Sequence, residues 1–241
     1  MPKRQSPTIP DSGRKPAARA KPAKSGARRV ARADMPRIDF RKSHHDLYSA
    51  TAKLQIVTAE RATFLALDGV GEPDGDAFKA GVERIFALAY TAKLSLNKLG
   101  VLDFDISCLE CVWFAAPSEP RSAWRWRLLL RIPDEISSSD LSQIRRALKD
   151  SKDIDTAKVV RTTWREGRAL QTLHVGAPDS MPTTYARLNA ETRARSLTLQ
   201  GPTHEVYLSD PRTVAPGDQK TIVRLPLKST AAKGATASAK A

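Results

Sequence analysis

Two stretches of this chain carry nearly the same five residues in the same setting. V-G-E-P-D, Val70 to Asp74, closes a strand-like run that begins at Ala62, and V-G-A-P-D, Val175 to Asp179, closes another within Lys158 to Val175. Each is followed by a helix-like run and then by two strand-like runs, so the order strand, helix, strand, strand occurs twice. Within Ala123 to Ile132, Trp124, Trp126, Leu128 and Leu130 share one face while Arg125, Arg127 and Arg131 share the other, the wet-and-dry alternation of an antiparallel sheet. The expected fold class is therefore α+β: two pseudo-repeated strand-helix-strand-strand units, related by a pseudo-twofold, with antiparallel sheets framing a central cleft.

The helices are legible from their period. Phe78, Val82, Ile85, Ala89, Ala92 and Leu96 recur at helical spacing between Asp76, which caps the run, and Gly100, which ends it. A second helix is expected over Pro182 to Ser196, with Tyr185 and Leu188 inward, and a shorter one over Asp140 to Lys149. The remaining strands are Ile106 to Ala115, His204 to Ser209 and Thr221 to Leu227. Ile38 to Ala50 reads as a lead-in that docks Phe40, Leu47 and Tyr48 on the core.

Charge divides the chain into parts. The formal charge of the 241 residues is +14, yet residues 1–37 hold eleven Lys and Arg against two Asp, a net +9. That segment is rich in Pro, Ala, Ser and Gly and has almost nothing to bury, so disorder is expected over 1–37, a folded domain over 38–228 and a short disordered tail over 229–241. A weak non-specific nucleic-acid contact through residues 1–37, a targeting peptide and a solubilising tail all remain open. No run of about 18 apolar residues is present, which argues against a membrane span. Cys108 and Cys111 form C-x-x-C inside an apolar run, and two core thiols in a reducing, cytoplasmic setting are expected.

Cofactor chemistry finds no support. Neither a P-loop nor a G-x-G-x-x-G is present, and His44, His45, His174 and His204 have no metal-ligand spacing, so no cofactor and no metal are expected. The unusual stretch is H-E-V-Y-L-S-D-P, His204 to Pro211. On a strand, Glu205, Tyr207 and Ser209 share a face that should be buried. Burying a neutral polar group alone costs about 2 to 7 kcal/mol and a lone carboxylate more, so a carboxylate there implies a polar or cationic guest. If the repeat is real, Glu110 and Glu205 hold comparable places in the two units.

Taken in order, V-T-A-E-R-A-T-F-L-A-L-D-G-V-G-E-P, A-L-A-Y-T-A-K-L, L-E-C-V-W-F, W-R-W-R, H-E-V-Y-L-S-D-P and K-T-I-V-R-L-P resemble the GyrI-like small-molecule-binding family over nearly all of Asp39 to Lys228. The resemblance implies a cleft for hydrophobic, aromatic or cationic small molecules. Relatives of this kind include the effector domains of drug-sensing regulators, and stand-alone members include hydrolases that open cyclopropane-bearing cyclohexadienone toxins. By position it points to Tyr90, Glu110, Trp113, Trp126 and Tyr185 as ligand-binding residues, with Glu205 as general acid or base and Tyr207 as hydrogen-bond donor to a carbonyl oxygen. Trp124 is expected to be simple core packing. Whether Glu205 catalyses or only binds is left open by the sequence.

Overall fold

A computed structural model of the chain describes residues 36–114 and 119–228. The disorder expected of the two tails concerns residues outside the described ones, apart from Pro36 and Arg37. In chain order the elements are β1 (Arg37–Ile38), α1 (Phe40–Ser43), α2 (His45–Tyr48), β2 (Gln55–Ala59), β3 (Ala62–Val70), α3 (Asp76–Lys98), β4 (Asp103–Phe104), β5 (Leu109–Trp113), β6 (Arg125–Arg131), α4 (Ser138–Lys152), β7 (Val160–Trp164), β8 (Gly167–Val175), α5 (Met181–Ala194), β9 (Thr203–Tyr207) and β10 (Lys220–Pro226). The two expected units are present as β3-α3-β5-β6 and β8-α5-β9-β10. The strand material expected within Lys158 to Val175 forms two strands, β7 and β8, with Gly167, at φ +77°, opening the second. A capping box between Ser137 and Asp140 starts α4 two residues ahead of its expected beginning. Among the described residues no helix is long and apolar enough to cross a membrane.

The sheets of the two units are halves of one eight-stranded antiparallel sheet, in the order β2-β8-β10-β9-β5-β6-β3-β7. They meet edge to edge where β5 pairs with β9. This sheet cannot be flat. Only Glu60 and Arg61 separate β2 at one edge from β3 near the other, and only Arg165 and Glu166 separate β7 from β8. Trp164 on edge strand β7 lies 5.0 Å, ring to ring, from His204 on β9, although four strand spacings of a flat sheet would part them by roughly 19 Å. The sheet therefore curls toward that face until its two edges meet at one corner, where Arg165 pairs with Glu60 at 3.1 Å.

Curling gives the sheet a convex and a concave side. On the convex side α3 packs Ile85, Leu88 and Ala92 against Leu65, Leu67 and Leu128, while α5 packs Met181 and Leu188 against Leu170 and Val223. The concave side is closed by α1 and α2, whose Phe40, Leu47 and Tyr48 are buried as the lead-in pattern predicts, against Ala169, Val206 and Ile222.

The strand registers fix the pseudo-symmetry residue by residue. Val70 pairs with Arg125 and Val175 with Lys220, so Arg125 and Lys220 are counterparts. Two residues on, Arg127 pairs with Val112 and Ile222 with Val206, which makes Val112 and Val206 counterparts. Cys111 therefore corresponds to Glu205, and Glu110 to His204. The expected equivalence of Glu110 and Glu205 is off by one residue, and one residue on a strand is a change of face.

Candidate functional site

β9 alternates as expected, and its two faces carry different chemistry. Glu205 and Tyr207 point outward between α3 and α5, where the helices leave a cleft of about 2510 Å³. Phe78, Phe86 and Tyr90 come from α3, Met181 and Tyr185 from α5, and the floor from the β5 and β9 strands. Glu205 is only 8% exposed. The Tyr185 hydroxyl donates to its Oε1, and the Tyr207 hydroxyl donates to its Oε2 at 2.8 Å. Among the described residues no Lys or Arg pairs with this carboxylate, so two neutral donors satisfy it while its charge stays uncompensated.

Both phenols are held far above their ordinary pKa, first by burial and then by the adjacent Glu205 charge, and they remain protonated donors through neutral and mildly alkaline pH. Cys111 lies directly across the ladder from Glu205, fully buried. Its thiol is likewise pushed up by burial and by Glu205, and burial raises Cys108, at the cleft wall, to about 11. Both cysteines are free thiols.

The aromatic residues sort differently from expectation. Trp113 reaches the cleft floor and stacks on Phe78, with centroids 5.6 Å apart and planes at 9°. Tyr90 stands half exposed at the cleft edge, 6.1 Å from Phe86. Trp126 does not reach the cleft and is corrected to a core residue. It pairs with Gly69 across β3 and β6, and its ring fills the space over Gly69 and beside Gly81, where a Cβ would fall 2.1 Å and 3.1 Å from ring carbons. Trp124 packs on the core as expected, but only partly buried, and it also borders the cleft, edge-on to Trp113 at 5.8 Å, with its indole N–H on the Glu119 carbonyl at 3.0 Å. Both tryptophans share the strand face, but only Trp126 lies beneath α3.

Glu110 is also corrected, because it faces the concave interior. It accepts from the Tyr48 hydroxyl at 2.8 Å and lies 3.0 Å from His204 Nε2. His204 Nδ1 is 3.1 Å from Glu166, which pairs with Arg224 at 3.3 Å. These His204 contacts are ion pairs rather than straight hydrogen bonds, since neither ring N–H aims at its oxygen. Arg224 also donates to the Leu47 carbonyl and, at 2.9 Å, to Gln171, whose amide donates to the Asp46 carbonyl at 2.9 Å. Burial by itself would lower His204, but the Glu166 charge and the contacts with Glu110 and Glu166 raise it to about 9. Burial would likewise raise Glu166, and the His204 and Arg224 charges more than reverse that. Two acids and two cations thus balance inside the curl. The sequence hint was Arg224 sharing a strand face with Ile222, in step with His204 and Glu110 on theirs. Among the described residues no group of three or more His, Cys, Asp or Glu is placed to hold a metal ion.

A curved antiparallel sheet with two helices enclosing an acidic, aromatic cleft defines an α+β domain. Comparison with solved structures places the chain in a family. It matches an uncharacterized conserved protein from Listeria innocua at 32% identity and a TM-score of 0.75, covering 79% of this chain and 100% of that one. A hydrolase from Listeria innocua matches at 31% identity and a TM-score of 0.74, over 80% of this chain and 100% of its own. The chain belongs to the family of these Listeria proteins. The EcmrR C-terminal domain, at 8% identity and a TM-score of 0.52 over 73% of this chain and 97% of that one, shares the fold alone, and the GyrI-like resemblance fits at that level. No family model matches the chain, and no curated protein matches it.

Proposed function

We propose that this protein binds hydrophobic, aromatic or cationic small molecules in the cleft between its two units and hydrolyses reactive, strained electrophiles there. One observation carries the proposal: a nearly buried carboxylate, Glu205, held by two protonated phenols and paired with no cation among the described residues, on the floor of an aromatic cleft. A site serving only as core would leave no reason for an uncompensated charge. The hydrolase name carried by full-length relatives at 31–32% identity supports the enzymatic half of the reading.

On a cyclopropane-bearing cyclohexadienone, the chemistry balances without a cofactor. Water attacks the ring methylene while Glu205 takes one of its protons. The breaking C–C bond returns its electron pair to the six-membered ring, which becomes aromatic, and the former carbonyl oxygen collects the negative charge. Tyr207 turns its hydroxyl to that oxygen and stabilises it, Tyr185 keeps hold of Glu205, and the proton on Glu205 passes to the new phenol. The net change is addition of one water. Relief of strain drives the step, so a general base and one donor suffice. The reduced thiols suit a cytoplasmic setting, where we place the protein.

Glu205→Gln tests the proposal, because it keeps the shape and removes the base. With a cyclopropane-bearing dienone followed by phenol absorbance, turnover should fall by about 10² to 10⁴, the usual span of general-base catalysis. Turnover within threefold of the parent overturns the catalytic reading.

A further inference from the structure

The β5–β9 ladder is the seam between the two units, five residues long on each side, and it joins strands almost a hundred residues apart in sequence. No hairpin turn sets its register. A slip of one residue would carry Glu205 and Tyr207 into the concave interior. A slip of two would keep their face but move Glu205 about 7 Å along β5, away from its place opposite Cys111 and beside the Trp113 and Phe78 side of the cleft. Something must therefore select one register, and the apolar neighbours at the seam do so weakly. On the concave side Val112 and Val206 present the same side chain at counterpart positions, so they do not distinguish the alternatives.

We propose that Glu110 and His204 are the positioning pair that sets this register, and through it the place of Glu205 in the cleft. They are counterparts under the pseudo-twofold, yet opposite in charge type, and they meet across the seam at 3.0 Å. Each is held from a further element: Glu110 by Tyr48 of α2 at 2.8 Å, and His204 by Glu166, beside β8, at 3.1 Å. Arg224 of β10 ties Glu166 to the backbone of α2. A slip of the seam by either one or two residues separates His204 from Glu110 and leaves Glu110, 2% exposed, without its cation. Buried ion pairs contribute little net stability but oppose wrong registers strongly, because each misplaced charge stays desolvated and unpaired. His204 and Glu110 act on the cleft only through Glu205 and Tyr207, the next residues on the ladder's other face. The functional consequence rests on Glu205 being the working carboxylate of the cleft, but the register itself is read without any ligand.

The test replaces the polar group as a unit, with Tyr48→Phe, Glu110→Leu and His204→Leu in one chain, leaving Glu166 with Arg224. The melting temperature should stay close to that of the parent. Cross-strand nuclear Overhauser contacts linking Cys111 to Glu205 should weaken and be joined by contacts of a slipped pairing. Affinity for a cationic aromatic dye such as rhodamine 6G should drop tenfold or more. A single native set of contacts with dye affinity within twofold of the parent overturns the proposal. If the register slips while the parent never binds the dye, the positioning role stands and the cleft reading falls. Glu110→Gln is the milder companion, tested by native-state hydrogen exchange. Protection lost selectively at Leu109–Trp113 and Thr203–Tyr207 supports a register key, and a uniform loss over the whole sheet overturns it.

Discussion

Cys111 and Glu205 face each other across the central ladder, and each is the other's counterpart under the pseudo-twofold. The two halves of the cleft are therefore alike in backbone and unlike in chemistry. One half holds a carboxylate with two phenols, and the other holds a buried thiol beside Trp113. The cleft thus presents a carboxylate on one side and aromatic surface on the other.

Charge discrimination follows from the uncompensated carboxylate. Glu205→Gln should weaken a flat cationic dye at least tenfold, since a desolvated ion or cation–π contact is worth about 2 kcal/mol or more, while a neutral dye of the same shape should change less than threefold. Isothermal titration of the two dyes against parent and variant checks this. Equal losses for both dyes would count against an electrostatic role.

Stability should depend on pH through the concave network, and the sign follows from His204. Its folded pKa, about 9, lies above the ordinary 6.5, so its contribution is fully present below pH 6.5 and is lost as the pH climbs to 9. The loss should be on the order of 3 kcal/mol, because the ring is fully buried and each tenfold gain in its proton affinity on folding is worth about 1.4 kcal/mol. Glu166 is shifted down, so its contribution is present above the ordinary carboxylate pKa and is lost in acid. Denaturant unfolding from pH 5 to pH 9.5 should show a fall above 6.5 in the parent and a flatter profile in His204→Gln.

Trp126 on β6 and Trp124 just ahead of it should separate core from cleft. Trp126→Ala opens a hole beneath α3 and should cost about 3 to 5 kcal/mol. Trp124→Ala, at the cleft border, should cost clearly less and alter dye affinity instead. Gly69→Ala should destabilise by about 1 to 3 kcal/mol, because its new methyl would meet the Trp126 ring at 2.1 Å. Thermal melts and dye titrations of the three variants decide between these assignments.

The basic segment at the start of the chain calls for a salt experiment. If it tethers the protein to nucleic acid, affinity for duplex DNA should fall steeply between 50 and 200 mM salt and vanish when residues 1–35 are removed. Truncation at that point spares Arg37, which pairs with Asp105 and joins β1 to β4. Affinity that survives truncation would remove the tether.

Local pattern alone determined the repeated order of elements, the helical spans and the polar, phenol-bearing face of β9, because side-chain period and turn residues are written in neighbouring positions. Tyr185, Trp113 and Tyr90 were pointed to by the family resemblance rather than by local pattern, and the structure brings them with Glu205 and Tyr207 to one cleft. Glu110 and Trp126 were misplaced. For Glu110 the cause was a single residue of long-range register, which the echo of V-G-E-P-D and V-G-A-P-D reveals only when carried through the strand pairings. For Trp126 it was the helix crossing above the strand, where Gly69 and Gly81 make room for the ring. The curl of the sheet was the largest thing hidden. It brings Trp164 and the neighbouring Glu166, at the β7–β8 corner, onto His204, which is already the register partner of Arg224, and pairing between distant strands is decided by how charges and side chains fit once the chain has closed on itself.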